Sequence, residues 1–176
     1  LNDKIKEQQE KRRQVNNELH RLIKQDEYML RKMHLLMQEI GVGKETATAL
    51  VLEFPELGHL SRKEVASLAG VAPFNYDSGN KIGKRFTRFG RRHIRSLLYM
   101  CVRAALNAKS ENIYHKRWEQ LERKKKKPDL LTGNPEDKDY TRRMVACMRL
   151  MIVRLNAITR DWINEGCPSP IQKKRG

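Results

Sequence analysis

The sequence predicts a mainly α-helical protein in which a long, coiled-coil-like amino-terminal helix precedes a compact helical domain. Apolar residues recur at intervals of three and four through most of the 176 residues, which is the period of an amphipathic helix. Glycine and proline interrupt that period and divide the chain into segments of helical length. Residues 74–90 lack the period, so we expect a short irregular or hairpin loop there.

The first forty residues favour one long helix that ends at Gly41. Its apolar positions follow the alternating three- and four-residue steps of a coiled-coil seam: Leu1, Ile5, Val15, Leu19, Leu22, Met29, Met33, Leu36 and Ile40. Because the same register turns Gln8, Arg12 and Asp26 inward, a weak or antiparallel coiled coil is expected. A helix that packs only on its own domain explains the pattern as well. We take residues 1–34 as a connector helix and residues 35–165 as the following domain.

A glycine turn leads from this helix into the next apolar-periodic segment, which ends at Phe54 and Pro55. The pattern is typical of a helix-hairpin-helix over about residues 35–54, in which backbone N–H groups and a helix amino terminus face a phosphate. Gly41, Gly43 and Lys44 are its candidate nucleic-acid contacts. A plain tight turn between helices needs the same glycines, so both interpretations stay open.

Four further segments complete the predicted domain. Ser61 and Glu64 form a capping box before a short helix to Ala69, and Gly70 ends it. Helices are then expected after Gly90, around residues 113–121 and over the last apolar stretch. That last stretch carries a methionine-rich stripe that we interpret as core: Met144, Met148, Met151, Ile152, Leu155, Ile158 and Trp162. Residues 166–176 are predicted to be a disordered tail.

Positive charge is concentrated in one part of the chain. The whole sequence has 37 Lys and Arg against 21 Asp and Glu, a formal net charge of +16. Residues 81–95 contain seven Lys or Arg and no acid, with Phe86 and Phe89 among them. Clustered cations of this kind release counterions from a phosphate backbone, which favours a nucleic-acid partner. A merely solvated basic face is the alternative.

Composition argues against several other classes. No apolar run approaches the length of a membrane span, so we expect no membrane partner and a cytoplasmic location. The three cysteines lack any C-x-x-C spacing and the histidines are scattered, so we assign no metal and no cofactor to this chain. Because the first residue is Leu1 and not Met, we also expect a fragment whose catalytic partner domain lies outside the sequence.

One serine, Ser78, has sequence neighbours that suit attack on a phosphate. Ser78 belongs to the turn Asp77-Ser78-Gly79-Asn80, which leads directly into the basic run. A serine that attacks a phosphodiester needs an exposed position and nearby cations to stabilise the charge that develops on the phosphate. By residue type alone, a turn-forming serine is the simpler interpretation.

Three stretches taken together carry a family resemblance: MQEIGVGKETATALVLEF, LSRKEVASLAGVAPFNYDSG and GKRFTRFGRRHIRSLLYM. In this order they resemble the carboxy-terminal domain of the Piv/IS-one-ten family of DEDD transposases and site-specific recombinases. The resemblance runs from about residue 35 to residue 106 and resumes at YTRRMVACMRLMIVRLNAI. It depends on the combination, since a glycine hairpin or a serine turn alone would be unspecific.

The resemblance implies that Ser78 is the catalytic nucleophile that joins covalently to a DNA phosphate. It also implies a RuvC-like domain with four magnesium-binding acids, a coiled-coil connector, a structured guide RNA and a homo-oligomer, dimer or tetramer, formed through the amino-terminal helix. A bacterial, nucleoid-associated location is implied as well. Candidate nucleic-acid contacts around Ser78 are Gly79, Lys81, Lys84, Arg85, Arg88, Arg91, Arg92 and Arg95. Their individual roles are our own inference.

Two departures from the family pattern limit what is expected of this chain. The acidic tetrad is absent, so Mg²⁺ is expected in the missing RuvC-like domain and this chain alone should not cut or join DNA. The segment KKKKPDLLTGNPEDKD is longer and more acidic than the usual connector. Two rival hypotheses stay open: a non-catalytic helix-hairpin-helix nucleic-acid-binding module, and a self-association element in residues 1–40 with the rest as its passenger.

Overall fold

The computed structural model describes residues 2–73, 87, 89–122 and 138–166. In that part of the chain it contains seven α-helices and no β-strand, which confirms the predicted mainly helical fold with a long first helix. The helices are α1 Asn2–Gln25, α2 Glu27–Leu36, α3 Lys44–Glu53, α4 Arg62–Leu68, α5 Arg92–Leu106, α6 Ile113–Glu122 and α7 Lys138–Asn164. The irregular or hairpin loop predicted over residues 74–90, called the serine loop from here on, lies mostly outside the described residues, and so does the predicted tail beyond Gly166.

The single helix predicted over the first forty residues is wrong, because the chain breaks at Asp26 and leaves helical geometry again after Leu36. Asp26 has extended backbone angles, φ −108° and ψ 109°, and its carboxylate accepts the Met29 N–H at 3.0 Å. Aspartate is favoured at this N-cap position because it satisfies one of the N–H groups that the first helical turn leaves unpaired. The apolar period continues across the break and therefore does not reveal it.

The outer face of α1 is largely uncovered. Ile5, Val15 and Leu22 remain 48–58% exposed, whereas Ile23 near the end of the helix is buried. Near its carboxyl end α1 contacts α3, where the His20 ring nitrogen lies 3.0 Å from the Thr48 hydroxyl. The part of the predicted apolar seam that lies on α1 is therefore mostly uncovered within this chain, whereas its continuation on α2, at Met33 and Leu36, is buried.

The core is built around α7, which packs against α2, α4, α5 and α6. The methionine-rich stripe predicted to be core is almost entirely buried, with Ile158 half-buried at its edge. The buried core also includes residues from the apolar faces of α3, α4 and α5: Ala47, Leu50, Val65, Ile94, Leu98 and Val102. This arrangement fixes the ends of α4 and α5 next to each other.

A buried charge fastens the turn after α2 to the other end of the domain. Glu39 is 7% exposed, accepts a hydrogen bond from the Tyr114 hydroxyl at 2.8 Å and pairs with Arg154 at 3.2 Å. Burial together with the Glu39 charge raises the pKa of Tyr114 far above its ordinary value, so the phenol remains a donor. The contact ties the α2–α3 turn to α6 and α7 over long sequence separations.

Candidate nucleic-acid interface

The two ends of the segment that carries Ser78 meet at a glycine contact. A Cβ on Gly90 would lie 2.4 Å from the Gly70 nitrogen, and one on Gly70 would lie 2.4 Å from the Phe89 oxygen. Both glycines have positive φ, +70° and +73°, which side chains rarely adopt. The Arg91 N–H donates to the Leu68 carbonyl at 2.8 Å. The described ends of the segment between α4 and α5 therefore meet at one place.

Arg95 reinforces this junction from α5. Its guanidinium donates to the Gly70 carbonyl at 3.3 Å and to the Phe89 carbonyl at 3.4 Å, one oxygen on each side of the loop. The side chain is half-buried. A cation that the sequence predicts as a phosphate contact is thus located at the base of the serine loop, where it also holds the two ends together.

Arg91 is bound by the protein itself. It forms two hydrogen bonds to the Glu56 carboxylate, at 2.8 and 2.6 Å, and one to the Glu53 carbonyl at 2.6 Å. Its guanidinium also lies over the Phe54 ring, 4.9 Å from the centroid. These hydrogen bonds from Arg91 lower the pKa of Glu56 to about 2. In this structure the side chain ties the start of α5 to the end of α3, and its contact with phosphate stays a prediction.

Arg92, the first residue of α5, differs from its neighbour. It is exposed, and within the described ranges no acidic side chain pairs with it. The next residue, His93, places Nδ1 2.7 Å from Glu53. Since α5 begins without a side-chain cap, its first N–H groups add partial positive charge beside Arg92. The start of α5 is therefore an accessible electropositive point next to the loop base.

The predicted helix-hairpin-helix corresponds to α2, the turn over residues 37–43 and α3. Gly41 has φ +85°, and a Cβ there would lie 2.2 Å from the Cys101 carbonyl oxygen. Close packing against α5 therefore accounts for Gly41, in agreement with the tight-turn alternative. Gly43 and Lys44 are exposed at the start of α3, and nothing lies within 4 Å of a Cβ on Gly43. Phosphate binding by these two residues stays a prediction.

A groove that the sequence did not reveal lies between α5 and α7. Its volume is about 490 Å³, and Thr87 and Arg95 line it at the end nearest the loop base. Tyr99 and Tyr140 lie farther along, where burial and the hydrogen bond between the two hydroxyls raise the pKa of Tyr140 to about 12. Only the crossing of two helices distant in sequence brings these side chains together. In the sequence, a tyrosine on the otherwise apolar face of each of these two helices was the feature that could have indicated the groove.

The centre of the predicted site is not among the described residues. Ser78 and five of its neighbouring candidates lie outside them: Gly79, Lys81, Lys84, Arg85 and Arg88. Within the described ranges, no three His, Cys, Asp or Glu side chains are grouped closely enough to hold a metal ion, so nothing there fits Mg²⁺.

None of the described helices has the length and apolar character that crossing a bilayer requires.

The comparison with protein families bears on the same part of the chain. A family model described as Transposase IS116/IS110/IS902 family matches residues 33–118, just under half of the sequence. No curated protein and no solved structure matches the chain. The match spans α3, α4, the serine loop, α5 and part of α6. Residues 33–118 are therefore similar to a transposase domain of the IS116/IS110/IS902 family.

Proposed function

We propose that this domain binds DNA and supplies the nucleophile for strand exchange, in transposition or inversion, through Ser78. The observation that carries the proposal is the closed loop base: Gly70 and Gly90 in contact, Arg95 bridging them and Arg92 exposed beside them. Such a base holds both ends of the Ser78 segment together and keeps Arg92 and Arg95 beside them. A nucleophile that must meet a phosphodiester needs both properties.

The proposed chemistry is a transesterification. The Ser78 oxygen attacks a DNA phosphorus and forms a new P–O bond, while the bond from that phosphorus to a deoxyribose oxygen breaks. The serine proton passes to a base or to water, and the released deoxyribose oxygen takes up a proton. Because one phosphoester bond replaces another, no oxidant or energy source is required, and the freed hydroxyl of a second strand reverses the step. No described residue is assigned as the base.

The partners follow from the same proposal. DNA is the substrate, a structured guide RNA selects the sites, and a RuvC-like domain with bound Mg²⁺ completes the active centre.

The uncovered seam of α1, with Ile5, Val15 and Leu22 exposed, supports self-association through the connector helix. A chain lacking residues 1–25 should then sediment as a smaller species, and an unchanged oligomer would contradict this part of the proposal.

The test is a trapping assay with the intact transposase that contains this domain, its guide RNA, Mg²⁺ and a nicked DNA site. We expect a protein–DNA adduct that survives denaturation and maps to Ser78. Ser78→Ala should abolish the adduct and strand exchange, and DNA binding should remain. The matched control is Ser67→Ala, which removes an exposed hydroxyl from α4 and should leave the adduct intact.

The alternative function is nucleic-acid binding without chemistry, supported by the exposed amino terminus of α3 at Gly43 and Lys44. It predicts binding that weakens steeply with salt and is indifferent to Ser78. Strand exchange retained by Ser78→Ala, or an adduct mapped to another residue, would eliminate the nucleophile assignment. Binding without any adduct would favour this alternative.

A further inference from the structure

A second cationic surface lies away from the serine loop, in a groove between α6 and α7. The groove has a volume of about 540 Å³ and is open to solvent. Its floor is apolar and includes Ile113 of α6 and Leu150 of α7. Its charged lining comes from three helices: Arg62 begins α4, Lys116 and Arg117 belong to α6, and Arg149 belongs to α7.

The lining carries charge of one sign. Four of its nine residues are Lys or Arg, and none is Asp or Glu. In the described part of the chain, the only ion pair that involves these four is Lys116 with Glu111, at 3.8 Å between two side chains that are 64% and 69% exposed. At this distance the two groups form no hydrogen bond, so the pair neutralises less charge than a hydrogen-bonded one. By contrast, α1 interleaves its cations with acids in pairs such as Lys11–Glu7 and Arg21–Glu18.

This surface is distinct from the loop base. The groove near the loop uses Met144, Val145 and Met148 of α7, whereas the cationic groove uses Ala146, Arg149 and Val153. At about 100° per helical residue, the two sets face directions roughly 140° apart around α7. One phosphate seated beside Arg92 and Arg95 therefore cannot also be the phosphate that the cationic groove contacts.

We propose that the α6–α7 groove binds a phosphodiester backbone, as a second nucleic-acid contact of this domain. The proposal rests on the proposed nucleic-acid function and extends it to a separate face. Unneutralised cations above an apolar floor complement a polyanion with sugar surfaces, and backbone contacts of this type hold a duplex in place without reading its sequence. The same chemistry is present in DNA and RNA, so the experiment compares the two.

The test measures binding of the 176-residue chain to a fluorescent DNA duplex and to an RNA duplex of the same sequence, between about 50 and 200 mM salt. The groove variant combines Lys116→Gln, Arg117→Gln and Arg149→Gln. The matched control combines Lys11→Gln, Arg13→Gln and Arg21→Gln, which removes the same formal charge from cations that acids on α1 already neutralise. All six side chains are exposed, so the circular-dichroism spectrum and Tm should match those of the unmodified chain.

We expect the plot of log K, the binding constant, against log salt to become less steep by about 2 to 3 in the groove variant, with a smaller change in the control. The duplex whose binding weakens more identifies the backbone that occupies the groove. The inference would be overturned if the salt dependence of binding decreased no more in the groove variant than in the control. Binding of either duplex by the unmodified chain would still be consistent with the proposed function. An unmodified chain that binds neither duplex would overturn both.

Discussion

Gly70 and Gly90 are in backbone contact, and neither position has room for a side chain. The Gly70 nitrogen would lie 2.4 Å from a Cβ on Gly90, and the Leu68 carbonyl oxygen would lie 2.7 Å from it. The contact joins the end of α4 to the start of α5 and closes the loop that carries Ser78. The contact therefore fixes the two described ends of the segment that contains Ser78 relative to each other.

Gly90→Ala should destabilise the domain by about 2–5 kcal/mol. The positive φ costs about 1–2 kcal/mol for an L-residue, and the forced separation from Gly70 adds about 1–3 kcal/mol. Urea unfolding followed by circular dichroism measures the loss. Gly166→Ala is the matched control, because φ is +75° there but nothing lies within 4 Å of the new Cβ. If both variants lose the same free energy, the contact contributes nothing beyond backbone strain.

Asp26→Ala should lower the free energy of unfolding by about 1 kcal/mol, because the Met29 N–H loses its only side-chain acceptor at the helix start. Thermal unfolding would measure the shift. Asp161→Ala is a suitable control, since Asp161 is exposed on α7 and pairs only with its neighbour Arg160 among the described residues. Equal stability of the two variants would indicate that packing alone, and not the cap, maintains the break between α1 and α2.

The helical segments were predictable because their signals are local. The apolar period of α5 and α7, and the capping box at Ser61, are carried by residues within one or two turns of each other. The break at Asp26 was missed because the apolar period stays in register on both sides of it. Aspartate is nevertheless a common N-cap residue, and Asp26 caps the N–H of Met29, three residues later.

The site was less predictable, because its contacts are long-range. Gly41 faces the carbonyl of Cys101, and Arg91 binds Glu56, pairings that no local pattern encodes. A basic residue looks the same in sequence whether it meets phosphate or an acid of its own fold. Composition therefore located the basic region, and the structure divides its described arginines into Arg91 and Arg95, which hold the fold, and Arg92, which is exposed.

The Arg91–Glu56 pair should make stability depend on acidity. Because the pKa of Glu56 falls from 4.5 to about 2 in the folded chain, its contribution is complete above about pH 4.5 and is lost as the pH falls toward 2. Both side chains are about one third exposed, so solvent screening limits the contribution to about 1 kcal/mol. Glu56→Gln should flatten this acid limb in urea unfolding at several pH values. The control Glu7→Gln, on α1, should keep the limb of the unmodified chain.

Glu39→Gln should cost about 2–3 kcal/mol, because Arg154 loses its charged partner and a buried hydrogen bond to Tyr114 weakens. Glu45→Gln, which alters the exposed pair with Arg12, should change stability by less than about 0.5 kcal/mol. Chemical unfolding of both variants provides the comparison. A loss at Glu39 no greater than at Glu45 would mean that the turn after α2 does not depend on this buried carboxylate.

Arg91 and Arg92 are adjacent in sequence, yet their replacement should have opposite consequences. Arg92→Gln should leave Tm unchanged, since no described residue pairs with this guanidinium, and should reduce the salt slope of DNA binding by about 1 if it contacts phosphate as proposed. Arg91→Gln should lower Tm, because Glu56 loses two hydrogen bonds and Phe54 a stacked cation. Fluorescence anisotropy across salt, together with thermal unfolding, separates the two effects. A stable Arg92→Gln chain with an unaltered slope would remove Arg92 from the interface and place the proposed contact on other cations.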